Sequence, residues 1–119
     1  MRYHDIEPIE RAAAESLISA GNVEALRFAV VSVALHEPDC AWAEAFCTRL
    51  ARHADPIVRG NAILGFGHIA RLHSRLNLAI VEPLIHVALA DEDEHVRGQA
   101  ESAADDIATF LGVQVRRVH

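Results

Sequence analysis

The eight histidines are the residues with the most obvious chemistry, because imidazole binds metals and transfers protons near neutral pH. Zinc sites on helices use pairs of ligands one turn apart. His68 and His73 are five residues apart, and His86 and His95 are nine apart. Asp91 and His95 have the four-residue spacing, but Asp91 precedes the expected helix start. Cys-x-x-Cys motifs are also missing from the sequence. We therefore expect no metal site and no cofactor.

Nucleophiles and paired carboxylates give no stronger indication of catalysis. The sequence has no Gly-x-Ser-x-Gly motif, no phosphate-binding loop and no convincing Cys–His pair with an orienting acid. Glu101 and Asp105 lie one helical turn apart, but on an open helix face both carboxylates stay ionised. Acid catalysis would need burial to raise one of their pKa values. We predict a protein without enzymatic activity.

The two cysteines, Cys40 and Cys47, fall within one helical pattern. Their spacing places them on one face but two turns apart, at a separation of roughly 10 Å that is too long for a disulfide. Reduced, packed thiols indicate a reducing compartment. The N-terminus lacks the apolar core of a secretion signal, and no stretch is apolar enough to span a membrane. We therefore expect a cytoplasmic protein that does not bind membranes.

Negative charge is concentrated near the C-terminus. The chain carries 17 acidic and 11 basic residues, a net charge of −6. The window from Asp91 to Asp106 holds seven acids and one base, Arg97, so this window alone also sums to −6. Such a field repels nucleic acid and attracts a basic protein, although a solvated, soluble end is the alternative explanation. The predicted partner-binding residues are Asp91, Glu92, Glu94, Glu101, Asp105 and Asp106.

Capping and terminating residues predict about six helices joined by short connections. The expected starts are Pro8, the caps Asn22 and Asp39, the cap Asp55 with Pro56, a position between Leu78 and Glu82, and the cap Asp93. Pro83 would fit only the first turn of its helix. Gly21 and Gly112 are expected to end the first and last helices. Short connections predict one domain, 1–119, of antiparallel hairpins at 8–36, 39–73 and 78–111, followed by a tail at 113–119.

An internal repeat supports this organisation. The stretch 55–62, DPIVRGNA, matches 93–100, DEHVRGQA, at a spacing of 38 residues. Asp, Val, Arg, Gly and Ala are identical in the two copies, and a fainter copy surrounds Arg27. A period of this length is typical of a repeated helical hairpin.

With its cap Asp, Val-Arg, small residue and Ala, this pattern resembles the HEAT repeat. The resemblance covers about residues 22–111 and is weakest in the first hairpin. It implies an all-α, HEAT-like α-solenoid of three stacked hairpins. We expect the pairs Asp55/Arg59 and Asp93/Arg97 to be structural, with each Asp capping a helix. Each Arg would reach that Asp or its counterpart in the adjacent repeat.

Two features concern how the hairpins stack. Gly65 and Gly67 interrupt the fourth helix at a cost near 1 kcal/mol each relative to Ala, so we expect a neighbouring helix to approach closely. A partner pressing on Gly67 is the alternative. Ile63 and Leu64 indicate a helix sandwiched on several sides. Their counterparts, Glu101 and Ser102, give the last hairpin a polar outer face, as expected of a terminal repeat.

Small HEAT-like proteins of this size resemble some immunity proteins of contact-dependent toxin systems. That resemblance implies a protein-binding module that neutralises a toxin, and the acidic end would suit a basic, nuclease-like toxin. The alternative is an assembly or scaffold factor resembling the HEAT-like relatives of phycobilisome lyases. In HEAT arrays the second helix of each hairpin lines a concave, ligand-facing side. The sequence leaves open whether this concave face or the acidic end makes the contact.

Overall fold

The computed structural model describes residues 6–115, which form six α-helices joined by short connections. The helices are α1 (Arg11–Ala20), α2 (Val23–His36), α3 (Cys40–Leu50), α4 (Pro56–His73), α5 (Leu78–Leu89) and α6 (Glu94–Leu111). No residue between 6 and 115 lies in a strand. The predicted all-α fold is therefore confirmed. Residues 1–5 and the last four residues of the predicted tail lie outside the described range.

Side-chain caps fix most of the helix starts. Four predicted cap residues accept a hydrogen bond from a backbone N–H of the first turn: Asn22, Asp39, Asp55 and Asp93. Each such cap typically contributes about 1 kcal/mol. The predicted stops are also correct, since Gly21 and Gly112 adopt the left-handed conformation with φ of 65° and 68°. These positions explain why the chain turns where it does.

The prediction that Pro8 opens the first helix is wrong. Helix α1 begins at Arg11, and Pro8 belongs to the non-helical segment 6–10. This segment is tied to α2 instead: the Ser32 hydroxyl donates to the Glu7 carbonyl at 2.5 Å, and the His36 ring bonds the Ile6 carbonyl at 2.8 Å. Backbone carbonyls committed to these bonds favour an extended approach to the helix.

The prediction that Pro83 lies in a first turn is also wrong. Helix α5 starts at Leu78, so Pro83 is its sixth residue and lies inside the helix. Proline has no N–H to donate to the carbonyl of Ala79, four residues earlier. Both Ala79 and Pro83 are exposed, so water can satisfy that carbonyl. The helix therefore tolerates the proline on its solvent side.

Helix α4 is the centre of the molecule. It packs on α2, on its hairpin partner α3 and, most extensively, on α6. Every residue from Asn61 to Ala70 is buried, which confirms that this helix is sandwiched. On α6 the equivalent outward positions, Glu101 and Ser102, are exposed. Among residues 6–115, α6 is therefore the last helix of the stack, with a polar outer face as predicted.

The two glycines of α4 mark close helix approaches. A Cβ at Gly65 would lie 2.7 Å from Cys47 Sγ, and one at Gly67 would lie 3.1 Å from Ala103 Cα. The lack of a side chain at Gly65 therefore allows α3 to pack closely against α4, and its lack at Gly67 allows α6 to do the same. The expectation of close packing is confirmed at both positions.

The sulfur atoms are not joined. Cys40 is half-buried and Cys47 is fully buried, and both are free thiols. Burial raises the pKa of the Cys47 thiol to about 12. This thiol is therefore protonated and behaves as a small apolar group in the core.

Candidate functional site

Two arginines bind carboxylates of the hairpin that follows them. Arg27 of α2 donates from Nε and Nη2 to both oxygens of Asp55, at 3.0 and 2.8 Å. Arg59 of α4 binds Asp91 in the same two-pronged way, at 2.9 Å for each bond. Bidentate pairs of this kind are strong and directional. They link consecutive hairpins, so the arginines reach into the adjacent repeat rather than back to their own cap.

In Arg59 and Arg97, the remaining guanidinium nitrogen, Nη1, donates to backbone carbonyls. Nη1 of Arg59 donates to the carbonyls of His53 and Ala54, at 3.0 and 3.2 Å. Nη1 of Arg97 donates to the carbonyls of Asp91 and Glu92, at 2.8 and 3.0 Å. The acceptor carbonyls in the two copies are also 38 residues apart. The repeat in the sequence therefore corresponds to a repeated pattern of hydrogen bonds.

A second connection runs through the side-chain amides of Asn61, which is buried, and Gln99, which is half-buried. Asn61 Nδ2 donates to the carbonyl of Arg27 at 3.0 Å, and Gln99 Nε2 donates to Asn61 Oδ1 at 3.1 Å. These bonds join α2, α4 and α6 in order. Sequence reasoning did not identify this connection, although an amide at the same repeat position in both copies was the available signal.

The ion pairs set the charge state of the acids that they contain. The hydrogen bond from Arg27 lowers the pKa of Asp55 to about 2, and the backbone N–H of Val58 adds to the effect. The hydrogen bond from Arg59 lowers the pKa of Asp91 in the same way. Both carboxylates are therefore ionised near neutral pH, and both are committed to bonds inside the protein.

The six acids predicted to bind a partner fall into two groups. The exposed group contains Glu92, Glu94, Glu101 and Asp105. Within this group, Glu101 and Asp105 also make interactions inside the protein. Asp91 and Asp106 are half-buried. Burial raises the pKa of Asp106, and its Oδ2 lies 2.8 Å from the Cβ position of Gly67, so this side chain faces α4. The exposed group is therefore the part of the acidic window that a partner can reach directly.

An open cleft of about 480 Å³ adjoins these acids. It lies between the α3–α4 connection and the C-terminal end of α5, and its walls include Arg52, Val87 and Glu92. The Arg59–Asp91 pair lines it as well. Val87 is an exposed apolar side chain, at 55%. A cleft with both charges and an apolar wall can receive a side chain of another protein.

Residues 6–115 contain no group of three or more His, Cys, Asp or Glu side chains arranged to hold a metal ion. In the same range, no helix is long and apolar enough to cross a membrane.

Neither protein-family models nor curated proteins give a match to the chain. The HEAT resemblance therefore rests on the residues quoted above and on the repeated geometry. Among solved structures, the chain is similar to a chain in the crystal structure of a CDI complex from Cupriavidus taiwanensis LMG 19424. The TM-score is 0.76 and the identity is 30%, and the match covers 92% of this chain and 97% of that one. This protein therefore belongs to the same family as that chain of the CDI complex.

Proposed function

We propose that this protein is the immunity protein of a contact-dependent inhibition (CDI) system, a non-catalytic inhibitor that binds a toxin. The observation that carries the proposal is its similarity, over nearly the full length of both chains, to a component of a CDI complex. A protein that takes its place in such a complex has a protein partner.

The roles of the buried and half-buried polar groups favour the inhibitor over the toxin. Arg59 and Asp91 bind each other, and Asn61 links helices. The buried thiol of Cys47, with a pKa of about 12, is a poor nucleophile. These groups stabilise the stack of hairpins and leave the exposed surface for recognition.

The exposed acids indicate the charge of the partner. Glu94, Glu101 and Asp105 follow one another at spacings of seven and four residues, so they lie along one stripe of α6. A row of carboxylates accelerates the approach of a basic protein, and it adds affinity where arginine or lysine is desolvated against it. We therefore propose a basic toxin domain, as in a nuclease whose cleft binds phosphates.

Growth and binding assays test the proposal together. The chain and the toxin domain encoded immediately upstream are expressed separately and jointly in a bacterial host. We expect the chain alone to be harmless and to protect cells from the toxin domain, and the purified proteins to form a 1:1 complex. Growth arrest by this chain alone would assign it to the toxin side. Lack of both binding and protection would refute the proposal.

A charge-reversal pair tests the acidic surface. Glu92→Arg with Glu94→Arg changes two exposed acids at the start of α6, whereas Glu7→Arg with Glu10→Arg makes the same change before α1. We expect the first pair to slow association at least tenfold at low salt, and the second to change it little. Equal effects of the two pairs would show that only net charge matters.

A further inference from the structure

The end of the stack repeats the features that join one hairpin to the next. Arg27 and Arg59 each use Nε and Nη2 to bind an aspartate of the following hairpin. Arg97 occupies the same repeat position on α6, is exposed, and is held by Nη1 in the same manner as Arg59. Within residues 6–115, no hydrogen bond or ion pair involves Nε or Nη2 of Arg97.

The neighbouring glycine gives a second, independent sign. Gly60 lies beneath the side chains of His95 and Gln99, and a Cβ there would be 2.6 Å from the His95 ring. Gly98 is its counterpart 38 residues later, and a Cβ at Gly98 meets no atom of residues 6–115 within 4 Å apart from its chain neighbours and the backbone of its own helix. Gly60 is thus the position on α4 against which side chains of α6 pack. The equivalent position on α6, Gly98, has no such neighbour among the described residues.

We propose that this face of α6 binds a segment of the toxin that presents an aspartate or glutamate to Nε and Nη2 of Arg97. A side chain of the same segment would pack over Gly98. This inference rests on the proposed function and names the chemistry of the contact.

The surroundings of Arg97 make the contact selective. It is the single base between Asp91 and Asp106, and Gly98 lies in the stripe that carries Glu94 and Glu101. A partner therefore needs basic residues along this stripe and one acid placed beside it. Two backbone carbonyls already hold the Arg97 guanidinium in place. The side chain therefore loses little further conformational entropy when it binds a carboxylate. A toxin with only basic residues at this position would leave Arg97 facing like charge.

Two variants test the contact by different means. Arg97→Lys keeps the charge but removes the two-pronged donor, and Gly98→Trp places a large side chain where the partner would pack. The matched controls are Arg75→Lys, an exposed arginine in the α4–α5 connection, and Ala45→Trp on the exposed side of α3. Circular dichroism and thermal unfolding confirm that each variant folds.

Binding of the same upstream toxin domain is the measurement. We expect Arg97→Lys and Gly98→Trp each to weaken binding at least tenfold, mainly through faster dissociation, and both controls to bind like the original chain. Replacing the toxin acid that pairs with Arg97 should remove the effect of Arg97→Lys. Normal binding by both α6 variants would overturn this inference and leave the proposed function standing. An original chain that fails to bind would overturn both.

Discussion

Replacing Gly65 with alanine tests how closely α4 is packed. The new Cβ would lie 2.7 Å from Cys47 Sγ and 3.3 Å from Ala34 Cβ. Both neighbours are fully buried, so neither can turn into solvent. Overpacking of this kind typically costs about 1–3 kcal/mol, whereas alanine gains about 1 kcal/mol over glycine as a helix former. We expect the free energy of unfolding to fall by about 1 kcal/mol, the difference between these ranges.

Gly98→Ala is the matched control, because that glycine is also inside a helix but has open space around it. Only the helix-propensity gain applies there, so its unfolding free energy should rise by about 1 kcal/mol. Urea denaturation followed by circular dichroism measures both variants, and their melting temperatures should move in opposite directions by about 3–5 °C.

A double mutant identifies the clash. Cys47→Ala removes Sγ and leaves the Cβ at 3.8 Å, an ordinary contact. In that background Gly65→Ala should be neutral or stabilising, which gives a coupling energy of about 1–2 kcal/mol between the two sites. Close packing of α3 at Gly65 is refuted if Gly65→Ala stabilises the protein as much as Gly98→Ala does. It is also refuted if the effects of Gly65→Ala and Cys47→Ala on the free energy of unfolding simply add.

Three further predictions concern charge and polarity. Burial, with Arg71 nearby, lowers the pKa of His68 from 6.5 to about 4. Since the unfolded chain then binds the extra proton, stability should fall by up to about 3 kcal/mol as pH drops from 6.5 to 4. Denaturation of His68→Gln across that pH range should show a shallower decline, whereas an unchanged slope would exclude this histidine. Asp91→Ala leaves the Arg59 guanidinium unpaired, and we expect chemical denaturation to show a loss of about 1–3 kcal/mol. Ala62→Asp buries an unpaired charge at a position with 0% exposure, so it should abolish the helical circular dichroism signal.

Local signals predicted most of the fold. A cap such as Asp55 can be predicted from the sequence, because its carboxylate accepts from the amide three residues later and Pro56 suits the first position of a helix. The copy at Asp93 has the same local chemistry. Interactions between residues close in sequence can be predicted from the sequence alone. For this reason the predicted helix starts after Asp55 and Asp93 agree with the structure.

The linkage between hairpins could not be predicted in the same way. The sequence motif paired Arg59 with Asp55 or Asp93, but the structure pairs it with Asp91, in the connection before the cap. Which carboxylate of the α5–α6 connection comes within hydrogen-bond distance of Arg59 depends on how α4 stacks on α6. The periodicity of the sequence does not predict that distance. Asp91 was predicted to bind a partner because it lies in the acidic window, and in the structure its carboxylate binds Arg59.

Contacts within the protein also reduce the number of acids that are available to a partner. The window from Asp91 to Asp106 sums to −6, but the Arg59 pair neutralises Asp91, and Asp106 faces α4. Of the four exposed acids, Glu101 and Asp105 also make interactions inside the protein, and the three on α6 run from Glu94 to Asp105, about 16 Å at the rise of an α-helix. That length is about twice the screening distance at physiological salt, so a single basic group cannot neutralise the row. A partner that exploits this surface needs bases spaced along the helix, which makes the pattern of charge, rather than its sum, the basis of recognition.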